Sequence, residues 1–258
     1  MKKWITFFAL MVMAGQSLEA ALKKETVLYK QGKTTLEGYL VYDDAKSGRR
    51  PGVLVVHEWT GLGDYAKMRA DQLADMGYVA FAADIYGKGL RAKNHEEAGK
   101  LSGIFRSDRN LMRARVQAGL DVLRKNKFVD AEKIAAIGYC FGGTSVLELA
   151  RSGADIRGVV SFHGGLDTPN PAETRNVKAK ILVCHGANDG FTSASVAAFQ
   201  DEMRKSGADW QMISYGGAVH SFTVKEAGSD PSTGMAYDAD ADRRSWQAMK
   251  DFFAELFQ

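Results

Sequence analysis

The sequence predicts an α/β fold with a mostly parallel sheet, helices on both faces and an N-terminal antiparallel hairpin. Three observations lead there. Short unbroken apolar runs such as Val53–His57 suit strands covered on both faces. They alternate with helical patterns, as parallel strands joined by crossover helices require. The stretch Gly138-Tyr139-Cys140-Phe141-Gly142-Gly143 couples one such run, Ile134–Ile137, to a helical pattern through a glycine-rich turn.

Taken in order, Glu25–Lys30 and Leu36–Tyr42 read as strands joined through Gln31-Gly32-Lys33, the hairpin. A charged connection, Asp43–Gly52, leads to the strand Val53–His57. Tyr65–Met76 has a helical pattern, Tyr78–Ala82 a strand pattern, and Asn94–Lys125 is helical with a break near Gly103–Asp108. After the glycine-rich turn come helix Thr144–Arg151, strands Gly158–Phe162 and Ile181–Val183, helix Ser193–Ser206, strand Gln211–Tyr215 and a closing helix, Asp240–Leu256. Val224–Ala239, with Gly228, Pro231 and Gly234, reads as a surface loop, either a rim for a site or a plain connector.

Met1-Lys2-Lys3, the apolar run Trp4–Ala14 and the small residue Ala20 describe a secretory signal peptide, with cleavage expected after Ala20. The apolar run is too short to span a bilayer. Residues 1–20 are therefore read as a signal and 21–258 as one domain, exported to a periplasm or secreted and not held by a membrane once the signal is gone. The chain carries a net charge of +3; loss of Lys2, Lys3 and Glu19 leaves +2. Basic residues are dispersed, which argues against nucleic acid as a partner. A monomer is expected. Of the two cysteines, Cys140 lies at the turn and Cys184 inside a strand, with the strand Gly158–Phe162 expected between them. That spacing does not suit a disulfide, so Cys184 reads as a small core residue.

A strand turning sharply into a helix needs small residues around the turn, and the residue at its tip is forced outward. This is the geometry of a nucleophile elbow, here with cysteine in place of serine. Turn amides and the helix dipole favour a thiolate and can hold an oxyanion. Read alone, the stretch has a plainer alternative, a buried strand ending at a structural cysteine beside packing glycines. Downstream, Lys180–Asp189 is a strand running into a turn with a carboxylate, and His220 follows the strand ending at Tyr215. Asp189 alone reads as a helix cap and His220 alone as a loop histidine. Together, Cys140, Asp189 and His220 stand in the order nucleophile, acid, histidine, each after a strand, as in an α/β-hydrolase.

Glu58 ends the first buried strand at the same edge of the sheet as Cys140, placed either to control the thiol or to pair with an arginine. His57-Glu58 is no zinc motif, because Gly61 stands where the second histidine belongs. The amides of Phe141 and Trp59 are the candidate oxyanion donors. His163 and His185 read as structural histidines. Asp238, Asp240 and Asp242 imitate a calcium loop, but Arg243 and Met249 occupy its glycine and glutamate positions, so Asp240 or Asp242 is read as a helix cap. No metal and no cofactor is expected.

These motifs resemble the dienelactone hydrolase family, α/β-hydrolases with a cysteine nucleophile. The matching pieces are His57-Glu58-Trp59-Thr60-Gly61-Leu62, Ala83-Asp84-Ile85-Tyr86-Gly87, the Cys140 elbow, the Asp189 turn and His220-Ser221-Phe222. The resemblance implies a Cys140–Asp189–His220 triad with Glu58 acting on the nucleophile. It also implies a cation that holds a substrate carboxylate. Lys88 stands where the family has arginine, Arg91 is near, and Ser221 matches a further carboxylate contact. Lysine keeps the charge without the planar two-pronged contact. The expected activity is hydrolysis of a small-molecule ester or lactone, one bearing a carboxylate if these residues are used, through an S-acyl cysteine. A thiol-dependent acyltransferase or thioesterase and a non-catalytic binding protein are the alternatives; redox sensing is disfavoured because no resolving cysteine stands near Cys140.

Overall fold

The computed structural model describes residues 22–258. The proposed signal, residues 1–20, lies outside them. One sheet of eight strands runs in the order β1-β2-β4-β3-β5-β6-β7-β8. Strands β1 (Leu22–Gln31) and β2 (Thr34–Asp43) form the antiparallel hairpin, closed at Gly32-Lys33, where Gly32 takes a left-handed φ of 57°. Strand β2 joins β4 (Val79–Ala83) antiparallel. From β4 through β3 (Arg50–Val56), β5 (Val129–Tyr139), β6 (Gly158–Phe162), β7 (Lys180–Gly186) and β8 (Trp210–Tyr215) every pairing is parallel.

Side chains alternate across a strand, and both faces of this sheet are buried. Val53 and Val55 pack with helices α1 (Asp64–Asp75) and α6 (Ala239–Leu256), through Ala66, Leu73, Met249 and Phe253. Leu54 and Val56 pack on the other face with α3 (Arg109–Arg124), α4 (Phe141–Arg151) and α5 (Ser193–Ser206), through Val116, Leu120, Val146 and Phe199. Each fully buried aliphatic chain of this kind contributes about 1.5–3 kcal/mol over exposure. The expected break in the long helical stretch falls at Asp108. Its side chain accepts from Leu111 N at 2.9 Å to start α3, while its amide ends α2 (His95–Ser107) on Ile104 O.

Two expectations change. Helix α4 starts at Phe141 rather than Thr144, because Cys140 itself is the helix N-cap. Helix α6 is capped by Asp238, whose carboxylate accepts from Ala241 N at 2.9 Å; Asp240 pairs with Arg243, and Asp242 with Arg69.

Among the described glycines, Gly138 and Gly142 of the elbow meet neighbouring backbone most closely. A methyl group on Gly138 would meet Gly142 O, one on Gly142 would meet Val56 O and His57 O, and one on Gly143 would lie 2.6 Å from Ser161 Oγ. Strand β5 and α4 thus approach through bare backbone, and only glycine permits it. Gly142→Ala is expected to cost about 3 kcal/mol or more, a fall in thermal midpoint of roughly 6–12 °C. Gly99→Ala, in open space on α2, is the control and is expected to raise the midpoint slightly.

Candidate active site

Strands β3, β5, β6 and β7 all end at one edge of the sheet, and the loops leaving that edge carry the chemistry. Cys140 follows β5 with φ 52° and ψ −113°, a strained conformation for a side-chain-bearing residue, and its amide donates to Phe162 O at 3.0 Å. Its thiol projects beyond the first turn of α4. Cys140 Sγ lies 3.1 Å from His220 Nε2, and His220 Nδ1 lies 2.7 Å from Asp189 Oδ2. Asp189 is fully buried, and its second carboxylate oxygen accepts the Phe191 amide at 3.0 Å. The structure therefore brings the three residues into one hydrogen-bonded line.

Electrostatics along the line follow from its burial. Burial opposes a charge on His220, but the neighbouring Cys140 sulfur and the Asp189 carboxylate outweigh it and raise the imidazole to about 10. Burial likewise opposes a charge on Asp189, and the hydrogen bond and positive charge of His220 overcome it, holding the carboxyl below its usual range. Around this ion pair burial lowers three other histidines. Burial pulls His57 down to about 4; its Nε2 accepts the Ile85 amide at 3.2 Å, so its Nδ1–H donates to Glu58 O. Burial lowers His163 and His185 too. Cys184 is a fully buried free cysteine whose thiol burial pushes up to about 12, and Cys140 is also free.

A cavity of about 480 Å³ opens above Cys140 and His220, walled by Trp59, Arg106, Gly165, Asp167, Phe191 and Met235, among others. A second cavity of about 680 Å³ adjoins it and is lined by Glu58, Tyr65, Ser221, Val224 and Glu226. Trp59 and Met235 line both. Burial raises the Glu58 carboxyl to about 7; the His220 charge opposes the rise, Glu226 adds to it, and Arg69 opposes it. Among the described residues, neither the Phe141 nor the Trp59 amide has an intrachain acceptor. Phe141 N–H is the first amide of α4, where the helix leaves donors open.

The remaining sequence candidates are placed less centrally. Lys88 faces Glu37 at 3.8 Å and Arg91 donates to Leu90 O at 2.9 Å; neither lines either cavity. Ser221, with φ 59°, lines the second cavity and not the first. Sequence reasoning passed over Arg106, Phe191 and Met235. Phe191 had a local signal, two residues beyond the acid. Met235 sits in the 224–239 loop, which does wall both cavities. Arg106 closes an ordinary amphipathic helix and had no signal at all.

The dienelactone hydrolase family profile matches residues 36–257. A solved structure described as a dienelactone hydrolase-like promiscuous phosphotriesterase, P91, from metagenomic libraries is 43% identical, with a TM-score of 0.87 over 92% of this chain and 100% of that one. Another, named m3DLH, is 40% identical with a TM-score of 0.89 over the same shares. Protein usf of Aquifex pyrophilus is 31% identical over 80% of this chain and 88% of its own length. With the profile spanning nearly the whole domain, this chain belongs to the dienelactone hydrolase family.

Proposed function

We propose that this enzyme hydrolyses small carboxylic esters or lactones through an S-acyl intermediate on Cys140. The observation that carries the reading is the Cys140–His220–Asp189 line at the floor of an otherwise largely apolar cavity. As the reaction begins, His220 takes the thiol proton and Cys140 becomes the thiolate. The thiolate attacks the carbonyl carbon, a C–S bond forms, and the carbonyl electrons move to an oxyanion facing the amides of Phe141 and Trp59. Collapse expels the alkoxide, which takes the proton from His220 Nε2. Water then gives a proton to His220 and its hydroxide attacks the thioester. Breaking the C–S bond releases the acid and restores the ion pair, with Asp189 holding the ring throughout.

Glu58 acts from the neighbouring cavity, setting the charge near the thiolate. For a carboxylate-bearing substrate, Arg106 is the cation on the wall of the Cys140 cavity. Lys88 and Arg91 reach it only by leaving Glu37 and the Leu90 carbonyl, and Ser221 serves the Glu58 side. Residues 1–20 direct export to a periplasm or medium, which N-terminal sequencing of the mature protein checks: Ala21 is expected first.

Incubation with p-nitrophenyl acetate tests the chemistry. The wild type should turn over and carry one acetyl group on Cys140 by intact mass, and Cys140→Ala should lose at least ~10³-fold in kcat. An acetylated protein that releases nitrophenol only when a second thiol or amine is supplied would favour acyl transfer. A phosphotriester is the second probe, since the 43% identical P91 is described as acting on that class.

The Glu58 carboxyl predicts a pH dependence. Its folded-state value lies above the ordinary 4.5, so its contribution to stability is complete below 4.5 and is lost as pH rises through about 7. Glu58→Gln removes this titration. Relative to that variant, the wild type should lose up to about 3 kcal/mol between pH 4.5 and 8, read as a steeper fall in thermal midpoint. The limb of the activity profile near pH 7 should flatten in the same variant.

A further inference from the structure

Only three non-glycine residues among those described have positive φ: Cys140, Ser221 and His163, at 52°, 59° and 40°. Cys140 is the nucleophile and Ser221 follows the catalytic histidine. His163 follows β6 and has no role in the reaction as described above. A left-handed backbone is cheapest for glycine, and Gly164 and Gly165 come next, so the turn alone does not call for histidine. The reason must lie in the side chain.

That side chain is fully buried, with its ring centroid 5.3 Å from that of His220 in an edge-to-face arrangement. Phe191 stands 5.5 Å from the His220 ring, also edge-on, but is largely exposed. Of these two contacts, His163 is therefore the fixed one. It is fixed by a buried chain of hydrogen bonds. His163 Nε2 meets Thr223 Oγ1 at 2.7 Å, and Thr223 Oγ1 meets Tyr65 Oη at 2.6 Å. Arg69 Nε donates to Tyr65 Oη at 3.1 Å, and its Nη2 donates to Thr223 O at 3.0 Å and to Asp242 Oδ1. Four elements are tied together: α1 through Tyr65 and Arg69, the loop after His220 through Thr223, α6 through Asp242, and the end of β6. His163 Nδ1 has no partner. A buried ring with only one nitrogen satisfied is a costly choice for packing alone.

We propose that His163 is a positioning residue for His220, held by the Thr223–Tyr65–Arg69 chain so that the His220 ring keeps Nε2 on Cys140 while Nδ1 stays on Asp189. It touches neither substrate nor the reacting sulfur. A neutral ring beside an imidazolium adds no repulsion, and its edge-to-face contact restrains the tilt of His220 that would open the 3.1 Å contact to sulfur. A small misplacement of a catalytic group costs up to ~10²-fold in rate.

The proposal rests on the ester-hydrolase reading for one of its two readouts and not for the other. His163→Leu keeps the bulk and removes the nitrogens; His163→Gln offers an amide within reach of Thr223; Thr223→Val removes the hydroxyl and keeps the shape. Steady-state hydrolysis of p-nitrophenyl acetate gives kcat and KM, and the rate of Cys140 alkylation by iodoacetamide reports the thiolate–imidazolium pair without any ester. His163→Leu and Thr223→Val should lower kcat about 10- to 100-fold with KM unchanged and slow alkylation about tenfold, while His163→Gln restores most of both. Leucine and glutamine variants that match the wild type in kcat and alkylation while only the thermal midpoint falls would overturn the proposal. A wild type inert toward esters would sink the hydrolase reading instead, and alkylation would still decide the role of His163. Should the leucine variant fail to fold, Thr223→Val carries the test alone.

Discussion

Everything at the reactive edge depends on how closely α4 crosses the ends of β3 and β6. The Gly142 backbone fills the space beside Gly138, the carbonyls of Val56 and His57 that beside Gly142, and the Ser161 hydroxyl and Gly164 backbone that beside Gly143, so none of the three can carry a side chain. With the strand and helix pressed together, the chain reverses within one residue, and that residue takes a left-handed φ. The strain is concentrated on Cys140 and its compensation is spread through the sheet. Helix α4 is anchored at its far end by buried charge: Arg151 donates to Glu148, to Glu202 of α5 and to Leu166 O, and Arg113 of α3 donates to the same Glu148. Removing one member of such a network strands its partners without water, at about 3–5 kcal/mol. The platform beneath Cys140 is accordingly rigid from both ends.

Charge is distributed at the site by burial and pairing together. Desolvation alone would discharge every histidine here. It does so at His57 and His163, which have only neutral hydrogen-bond partners. It fails at His220, which stands between a sulfur and a carboxylate. The positive charge is thus confined to the His220 ring. Glu58 is the intermediate case, a carboxyl partly withdrawn from water with both attractive and repulsive charges around it, and so it titrates near neutrality.

Much of this was legible in the sequence because it is written locally. Apolar runs of strand length, the 3.6-residue patterns and the Asp108 break report the element beneath them directly. The order Cys140, Asp189, His220 was legible for the same reason: each follows its own strand, and parallel strands end at one edge. What was not legible depends on contacts between distant segments. The start of α4 is decided by the φ of Cys140 and the cap of α6 by Asp238, since the neighbouring aspartates are drawn to Arg69 and Arg243. Lys88 looks like a site cation until Glu37, on a neighbouring strand of the folded sheet, is seen to face it. The partners of His163 come from three segments far apart in the chain, and no local pattern marks them. The signal-like first 20 residues lie outside the described part of the chain.

The wall between the two cavities has a firm backbone and adaptable side chains. Met235 is joined to His220 by a bridge in which His220 N donates to Gly234 O and Ala236 N donates to His220 O. Trp59 O accepts the Tyr86 hydroxyl at 2.8 Å, and its ring packs against His95. Neither backbone can shift without disturbing the Cys140–His220–Asp189 line or the segment after β4. The thioether of Met235, with three rotatable bonds, can change shape without either cost. Exposed Phe191 on the facing wall is similarly free at its outer edge. Met235 and Phe191 are thus the adaptable parts of the wall, while the Cys140–His220–Asp189 line is held by the backbone beneath it. An adaptable wall therefore surrounds a fixed hydrogen-bonded line.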